Sequence, residues 1–176
     1  PWYIHGNWKL DSAQLTDLEN TIPKIVSPDK DDLYTTYHLS YAEKAPKELS
    51  FLNNFYAERV AEIAKDQTFY HNSNYRYEFW VQLYNSNATH CTHTHFELNK
   101  NTIISFVHFL KTTDTQCLQF IDENKIEVPQ QNEGDLIVFP SYAAHRVVNH
   151  TNDYNRLVVA GNIPVSYTHL TLPTTG

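Results

Sequence analysis

The sequence predicts a mainly β protein with N-terminal helices, two helices leading into an antiparallel sandwich or barrel. Three observations carry this. Near residue 70 the apolar residues change from helical spacing to alternation. Beyond it, short runs rich in Val, Ile, Phe and Tyr follow one another, separated by Asn, Asp, Gly and Pro. No ten-residue helical pattern falls between those runs, which argues against parallel βαβ units.

In order, residues 1–10 mix Trp2, Tyr3, Ile4, Trp8 and Leu10 and fit an edge strand. Asp11-Ser12-Ala-Gln14 opens a helix whose apolar stripe, Leu15, Leu18 and Ile22, runs to Pro23. Residues 26–40 are polar and read as a loop with an extended piece at Leu33–Leu39. A second helix starts near Pro46, a favoured first-turn residue, with Leu49, Leu52, Tyr56, Val60 and Ile63 on one face. Then Tyr75, Tyr77, Phe79, Val81 and Leu83 alternate with Arg76, Glu78, Trp80, Gln82 and Tyr84, a strand with two different faces. Further strands are expected at Thr102–Lys111, Cys117–Asp122, Asp135–Phe139, His145–Asn149 and Tyr154–Ile163, with turns at Asp122–Asn124 and Asn149–Asn155. Residues 1–164 are read as one domain, a helical part over 1–70 and a β core over 75–163. The tail, 165–176, lacks periodicity and resembles a translated sequencing adapter, so it and His169 are expected to be non-native.

Composition narrows the function. With 176 residues, 41% hydrophobic and 14% aromatic, the chain can bury a core. A net charge of −7 argues against nucleic-acid binding, which needs clustered Lys and Arg. No apolar stretch suits a membrane span and no signal-peptide pattern opens the chain. Cys91 and Cys117 make no disulfide framework and no C-x-x-C pair, so a reduced, cytoplasmic setting is expected. The sequons at Asn87 and Asn149 are discounted accordingly.

The chemistry lies in His93-Thr94-His95 and in His145, which opens a later apolar strand after the corner Pro140–Ala144. Neutral imidazole is the commonest protein metal ligand. Alternate strand residues share a face, so His93 and His95 can aim at one point, and Glu97 continues the alternation as a hard oxygen donor. This is the ligand supply of a mononuclear iron site in a β-barrel, with an open side for oxygen and substrate. The competing reading is a solvated His-rich turn. His90 is placed in a loop and His108 in a core-facing strand, both as structural or solvated residues; His5, His38, His71 and His150 carry no pattern.

Arg156 adds a cationic element. If His145–Asn149 and Arg156–Ala160 form a hairpin about Asn152-Asp153, Arg156 opposes Asn149 and shares the face of His145. It would then lie about 13 Å along the strand, at about 3.3 Å per residue, with a side chain long enough to reach back. That suits a guanidinium gripping the far carboxylate of a dicarboxylic acid chelated by the metal. An outward-facing strand Arg is the alternative.

Together, Trp80-Val-Gln-Leu-Tyr84, His93-Thr-His95-Phe, Ile104-Ser-Phe-Val-His-Phe-Leu110, Gly134-Asp-Leu-Ile-Val-Phe-Pro140, His145 and Asn155-Arg156-Leu-Val-Val-Ala-Gly-Asn162 resemble the 2-oxoglutarate- and Fe(II)-dependent oxygenases. The likeness covers about residues 75 to 163 and is greatest to the small phage and bacterial branch. It implies a double-stranded β-helix (jelly roll, cupin-like) with ferrous iron at one open end. The family pattern His-x-Asp/Glu…His…Arg falls on His145 as distal ligand and Arg156 as co-substrate clamp. In its first half the chain departs from that pattern, since His95 rather than an acid follows His93 by two. The ligands are therefore His93, His95 and His145, as the branch's H-x-H implies, or His95, Glu97 and His145. Tyr84 and Gln82 are assigned to the pocket lining. The resemblance implies O2-dependent hydroxylation of a small molecule or protein side chain, with 2-oxoglutarate decarboxylated to succinate.

Two other readings compete. Gly134–Pro140 followed by His145 and Asn149 also resembles the second cupin motif, pointing to a metal-dependent dioxygenase or isomerase that does not use 2-oxoglutarate and has no need of Arg156. The first cupin motif wants a Glu where Asn99 and Lys100 stand. A non-catalytic jelly-roll binding module is the third, and it leaves the histidines without a role.

Overall fold

A computed structural model describes residues 1–40, 46–66, 77–95, 102–150 and 154–164. Strand β1 (Tyr3–Asn7) leads into helix α1 (Ser12–Ile25). Asp11 fixes the start of α1: its carboxylate accepts from the Gln14 N–H at 2.8 Å while the Gln14 side chain accepts from the Asp11 N–H at 3.2 Å. Two N–H groups at the helix start that lack intrahelical partners are thereby satisfied. The helix runs past Pro23, where the sequence placed its end. Only part of the last turn lies beyond the proline, so little of the bond ladder is lost. Residues 26–40 hold more order than expected, a short strand β2 (Leu33–Thr35) followed by a helical turn α2 (Tyr37–Ser40). The Asp29 carboxylate accepts from the N–H groups of Asp31 and Leu33 and shapes the turn into β2. After Pro46, a 3-10 turn (Lys47–Leu52) continues into α3 (Asn53–Asp66), and all five stripe residues from Leu49 to Ile63 are buried.

The β part comprises β3 (Glu78–Tyr84), β4 (His90–His93), β5 (Thr102–Lys111), β6 (Leu118–Asp122), β7 (Lys125–Glu127), β8 (Asp135–Pro140), β9 (His145–Val147) and β10 (Arg156–Pro164). They pair antiparallel in a nested order: β3 with β10, β4 with β9, β5 with β8, and β6 with β7. Two sheets result, β1-β8-β5-β10-β3-β2 and β4-β9-β6-β7. This is the double-stranded β-helix. Outside the central β6–β7 hairpin, consecutive strands from β3 to β10 alternate between the sheets, so the expected hairpin of His145–Asn149 with Arg156–Ala160 does not form. Strand β9 lies in the small sheet and β10 in the large one. The strands β4 and β7, of four and three residues, carry no periodic signal in the sequence.

Alternation along the large sheet separates two interiors. Val81, Leu83, Leu157 and Val159 pack with Leu18, Ile22, Tyr56, Val60 and Ile63 in a layer between sheet and helices. Their neighbours Trp80, Tyr84, Val158 and Ala160 face Leu118, Phe120 and Val147 of the small sheet. One set of strands thus serves a helix-backed core on one side and a cavity on the other.

Candidate metal centre

His93, the last residue of β4, sits directly opposite His145, the first residue of β9. His95 lies just past the end of β4, where its N–H donates to the Ser141 carbonyl at 2.9 Å. The three imidazoles converge, and one ring nitrogen from each lies within 4.8 Å of the others. His145 is 3% exposed and packs between Phe120 and Phe139.

The hydrogen bonds fix which nitrogen of each ring carries the proton. Nδ1 of His93 is 2.8 Å from the Cys91 carbonyl, and Nδ1 of His145 is 2.9 Å from the Ala143 carbonyl. A carbonyl only accepts, so both Nδ1 atoms donate and both Nε2 atoms keep a lone pair. Nδ1 of His95 faces the Asn162 Oδ1 at 2.8 Å and the Ser105 hydroxyl at 3.0 Å. Nε2 of His95 then lies 3.3 Å from Nε2 of His93, lone pair towards lone pair. A cation shared by the rings reconciles that approach, and outer-nitrogen hydrogen bonds of this kind are the usual support of metal-bound imidazoles. The donor set therefore fits a divalent transition metal.

Electrostatics agree. Burial, and then the neighbouring His93 and His95, push the His145 pKa down to about 3. Burial and His93 take His95 down to about 4, and burial lowers His93 as well. All three rings are neutral at pH 7, the form a metal requires.

The triad lines a cavity of about 300 Å³ between the sheets. Arg156 enters it from β10, opposite Tyr84 of β3. The guanidinium carbon lies 5.0 Å from the Tyr84 ring centre and 5.7 Å from that of Phe109. Arg156 is 2% exposed, and its Nη1 has no hydrogen-bond partner among the described residues. A buried, incompletely paired guanidinium is costly unless an anion meets it. Beside it the Tyr84 hydroxyl donates to the Gln82 Oε1 at 2.8 Å. Burial raises the Tyr84 pKa and the Arg156 charge opposes that rise, so the phenol stays a donor at pH 7.

Of the residues singled out from the sequence, His93, His95, His145, Arg156, Tyr84 and Gln82 all line this one cavity. Arg156 reaches it from the sheet facing β9, not along a shared hairpin. Glu97 lies outside the described residues. His90, expected in a loop, belongs to β4 and stacks on His93 with ring centres 4.0 Å apart. His38, which carried no pattern, also lines the cavity. Asn162 and Ser105 were not singled out as site residues. Extending the period-two series from Arg156 through Val158 and Ala160 would have reached Asn162.

No family model and no curated protein matches the sequence. Solved structures do match. A Pseudomonas putida prolyl-4-hydroxylase aligns with a TM-score of 0.62 at 16% identity, over 93% of this chain and 91% of that one. A 2OG-Fe(II) oxygenase family oxidoreductase from Burkholderia pseudomallei aligns at 0.64 and 14% identity, over 88% and 80% of the two chains. HygX from Streptomyces hygroscopicus, solved with nickel, 2-oxoglutarate and hygromycin B, aligns at 0.66 and 9% identity, over 94% and 83%. The chain has the fold of the 2-oxoglutarate/Fe(II) oxygenases. On this oxygenase fold the imidazoles come from β4, β9 and the turn after β4, and the cation comes from β10. Among the described residues, no helix is long and apolar enough to cross a membrane.

Proposed function

We propose that this chain is an Fe(II)- and 2-oxoglutarate-dependent oxygenase that hydroxylates a small molecule or a protein side chain. The observation that carries the reading is Arg156, a buried guanidinium with an unpartnered Nη1 in the same cavity as three neutral, converging imidazoles. A cupin-type enzyme that does not use a keto acid has no use for that cation.

His93, His95 and His145 would hold the iron, with Glu97 as the alternative to His93. Ferrous iron bound there would chelate the keto acid and supply the oxidising chemistry with O2. The rest is done by the chain. Arg156 binds the far carboxylate through its planar fork, and the Tyr84 and Gln82 side chains set the position of that end. Leu118, Val147, Val107 and Val158 line the cavity with apolar surface and exclude water. The reduced, cytoplasmic setting rests on Cys91 and Cys117, both of which are free thiols.

Anaerobic titration with Fe(II), with and without 2-oxoglutarate, tests this. The weak visible charge-transfer band of the chelate is expected only when both are present, and admitting O2 should give succinate without any primary substrate. If the iron-loaded protein neither binds 2-oxoglutarate nor makes succinate, the keto-acid-independent cupin reading replaces this one.

A further inference from the structure

Behind His95 lies a chain of hydrogen bonds that ends on a carboxylate. Asn162 of β10 is the register partner of Glu78 on β3 and of Ser105 on β5. Its Nδ2 lies 2.9 Å from Glu78 Oε1, and its Oδ1 lies 2.8 Å from both the Ser105 hydroxyl and His95 Nδ1. The preceding residue is Gly161, where a Cβ would overlap the Phe106 ring and the Glu78 carbonyl. Only glycine lets β10 lie this close to its neighbours.

We propose that Glu78, acting through Asn162, is a positioning residue that holds the His95 proton on Nδ1 and keeps Nε2 a metal donor. A carboxylate accepts and does not donate, so it draws the NH2 end of the Asn162 amide towards itself. The carbonyl end is then committed to His95, and His95 must donate from Nδ1. Without the carboxylate the amide can turn over. Its NH2 would donate to His95 Nδ1, the ring proton would move to Nε2, and Nε2–H would point at the His93 Nε2 only 3.3 Å away. That alternative is fully hydrogen-bonded, and it closes the site by joining two ligands to each other. Glu78 removes it. Where one ligand position holds a neutral His instead of an acid, this relay also places the negative charge two hydrogen bonds behind the ligand.

The inference rests on the metal-centre reading of His95, and the test separates the two. In metal-free protein with 15N-labelled histidine, long-range 1H–15N spectra should show wild-type His95 protonated at Nδ1 alone. Glu78→Gln, whose side chain can donate as well as accept, should populate the Nε2–H form. Anaerobic Co(II) titration followed by its visible absorption should show affinity down about tenfold in Glu78→Gln and about 10- to 100-fold in Asn162→Leu. Thermal melting checks that each variant is folded, and Glu78→Gln, half-buried at a strand end, carries the test if Asn162→Leu is not. The inference is overturned if His95 in Glu78→Gln stays wholly Nδ1–H, whatever happens to Co(II) affinity. If the tautomer shifts as expected but wild-type protein takes up no Co(II), the relay stands and the metal-centre reading falls.

Discussion

His108 and His145 are both buried histidines of the β core, on opposite sides of the large sheet, and they are satisfied in different ways. His108 faces the helices. Its Nδ1 meets the Tyr56 hydroxyl at 2.8 Å and its Nε2 meets the Trp8 carbonyl at 2.8 Å. The carbonyl can only accept, so Nε2–H donates to it and Tyr56 donates to Nδ1. Both ring nitrogens of His108 thus have a partner inside the protein. On the cavity side, His145, His93 and His95 spend only Nδ1 on the protein, and Arg156 and the Trp80 indole N–H keep unpartnered donors. Burial neutralises both kinds of histidine alike, taking His108 down to about 4 and His145 to about 3. Buried polar groups are nearly always paired, so the unpartnered Arg156 Nη1 and Trp80 Nε1 in the cavity wall support the proposed ligand site.

His145→Ala breaks the comparison most sharply. Iron or cobalt binding should be lost, measured by titration, while the protein remains folded; stoichiometric metal in this variant would place the site elsewhere. His108→Ala should do the reverse. It strands the Tyr56 hydroxyl and the Trp8 carbonyl and opens a cavity, so urea denaturation should show a loss of about 2–5 kcal/mol. Metal affinity should stay at the wild-type value.

Arg156→Ala comes next. Hydrogen bonds to charged groups contribute roughly 1.5–3 kcal/mol, so 2-oxoglutarate affinity should fall about ten- to a hundred-fold. Calorimetry on the metal-loaded protein reads this, and iron affinity should not change. Unaltered 2-oxoglutarate binding would remove the carboxylate clamp while leaving the metal site. The ligand set is sharpened by comparing His93→Ala with Glu97→Ala, of which the first should weaken metal more. The opposite ranking would make the set His95, Glu97 and His145.

The last test is of pH dependence, where the two sides should behave alike. A histidine whose folded pKa lies below its unfolded value of about 6.5 is protonated more readily in the unfolded chain. Its contribution is present above pH 6.5 and is lost as pH falls towards about 4 and then 3. The unfolding free energy of metal-free protein, from urea denaturation, should therefore fall with pH across that window, by about 1.4 kcal/mol per pH unit for each proton taken up on unfolding. A flat profile would mean that the rings are not held neutral.

Much of this was legible because local periodicity encodes it. Strand β5 was placed residue for residue at Thr102–Lys111, since a run dominated by β-branched and aromatic residues with no Gly, Pro, Asn or Asp leaves little choice. The Asp11 start of α1 and the stripe from Leu49 to Ile63 are equally local. That His93, His95 and His145 cluster was legible because H-x-H is itself a spacing signal and His145 opens an apolar strand after the Pro140–Ala144 corner. Arg156 does share a cavity with the three histidines, but by another route than the expected one. Nearness in sequence suggested a hairpin, whereas nested pairing is a property of the whole barrel. Glu78 was out of reach for the same reason: it stands 84 positions from Asn162, and its residue type does not announce a role behind a metal ligand.

That separation has a kinetic consequence. His95 meets Asn162 across 67 positions and Glu78 meets it across 84, because the outermost strands of the nest, β3 and β10, are the last to be brought together in sequence and yet lie side by side. Contacts of such long range are slow to close and come with completion of the topology. A chain emerging from the ribosome can display His93 and His95 well before Asn162 has been made, but the ring orientation that β10 imposes has to wait. On the proposed function, full metal affinity would therefore wait until β10 has joined β3.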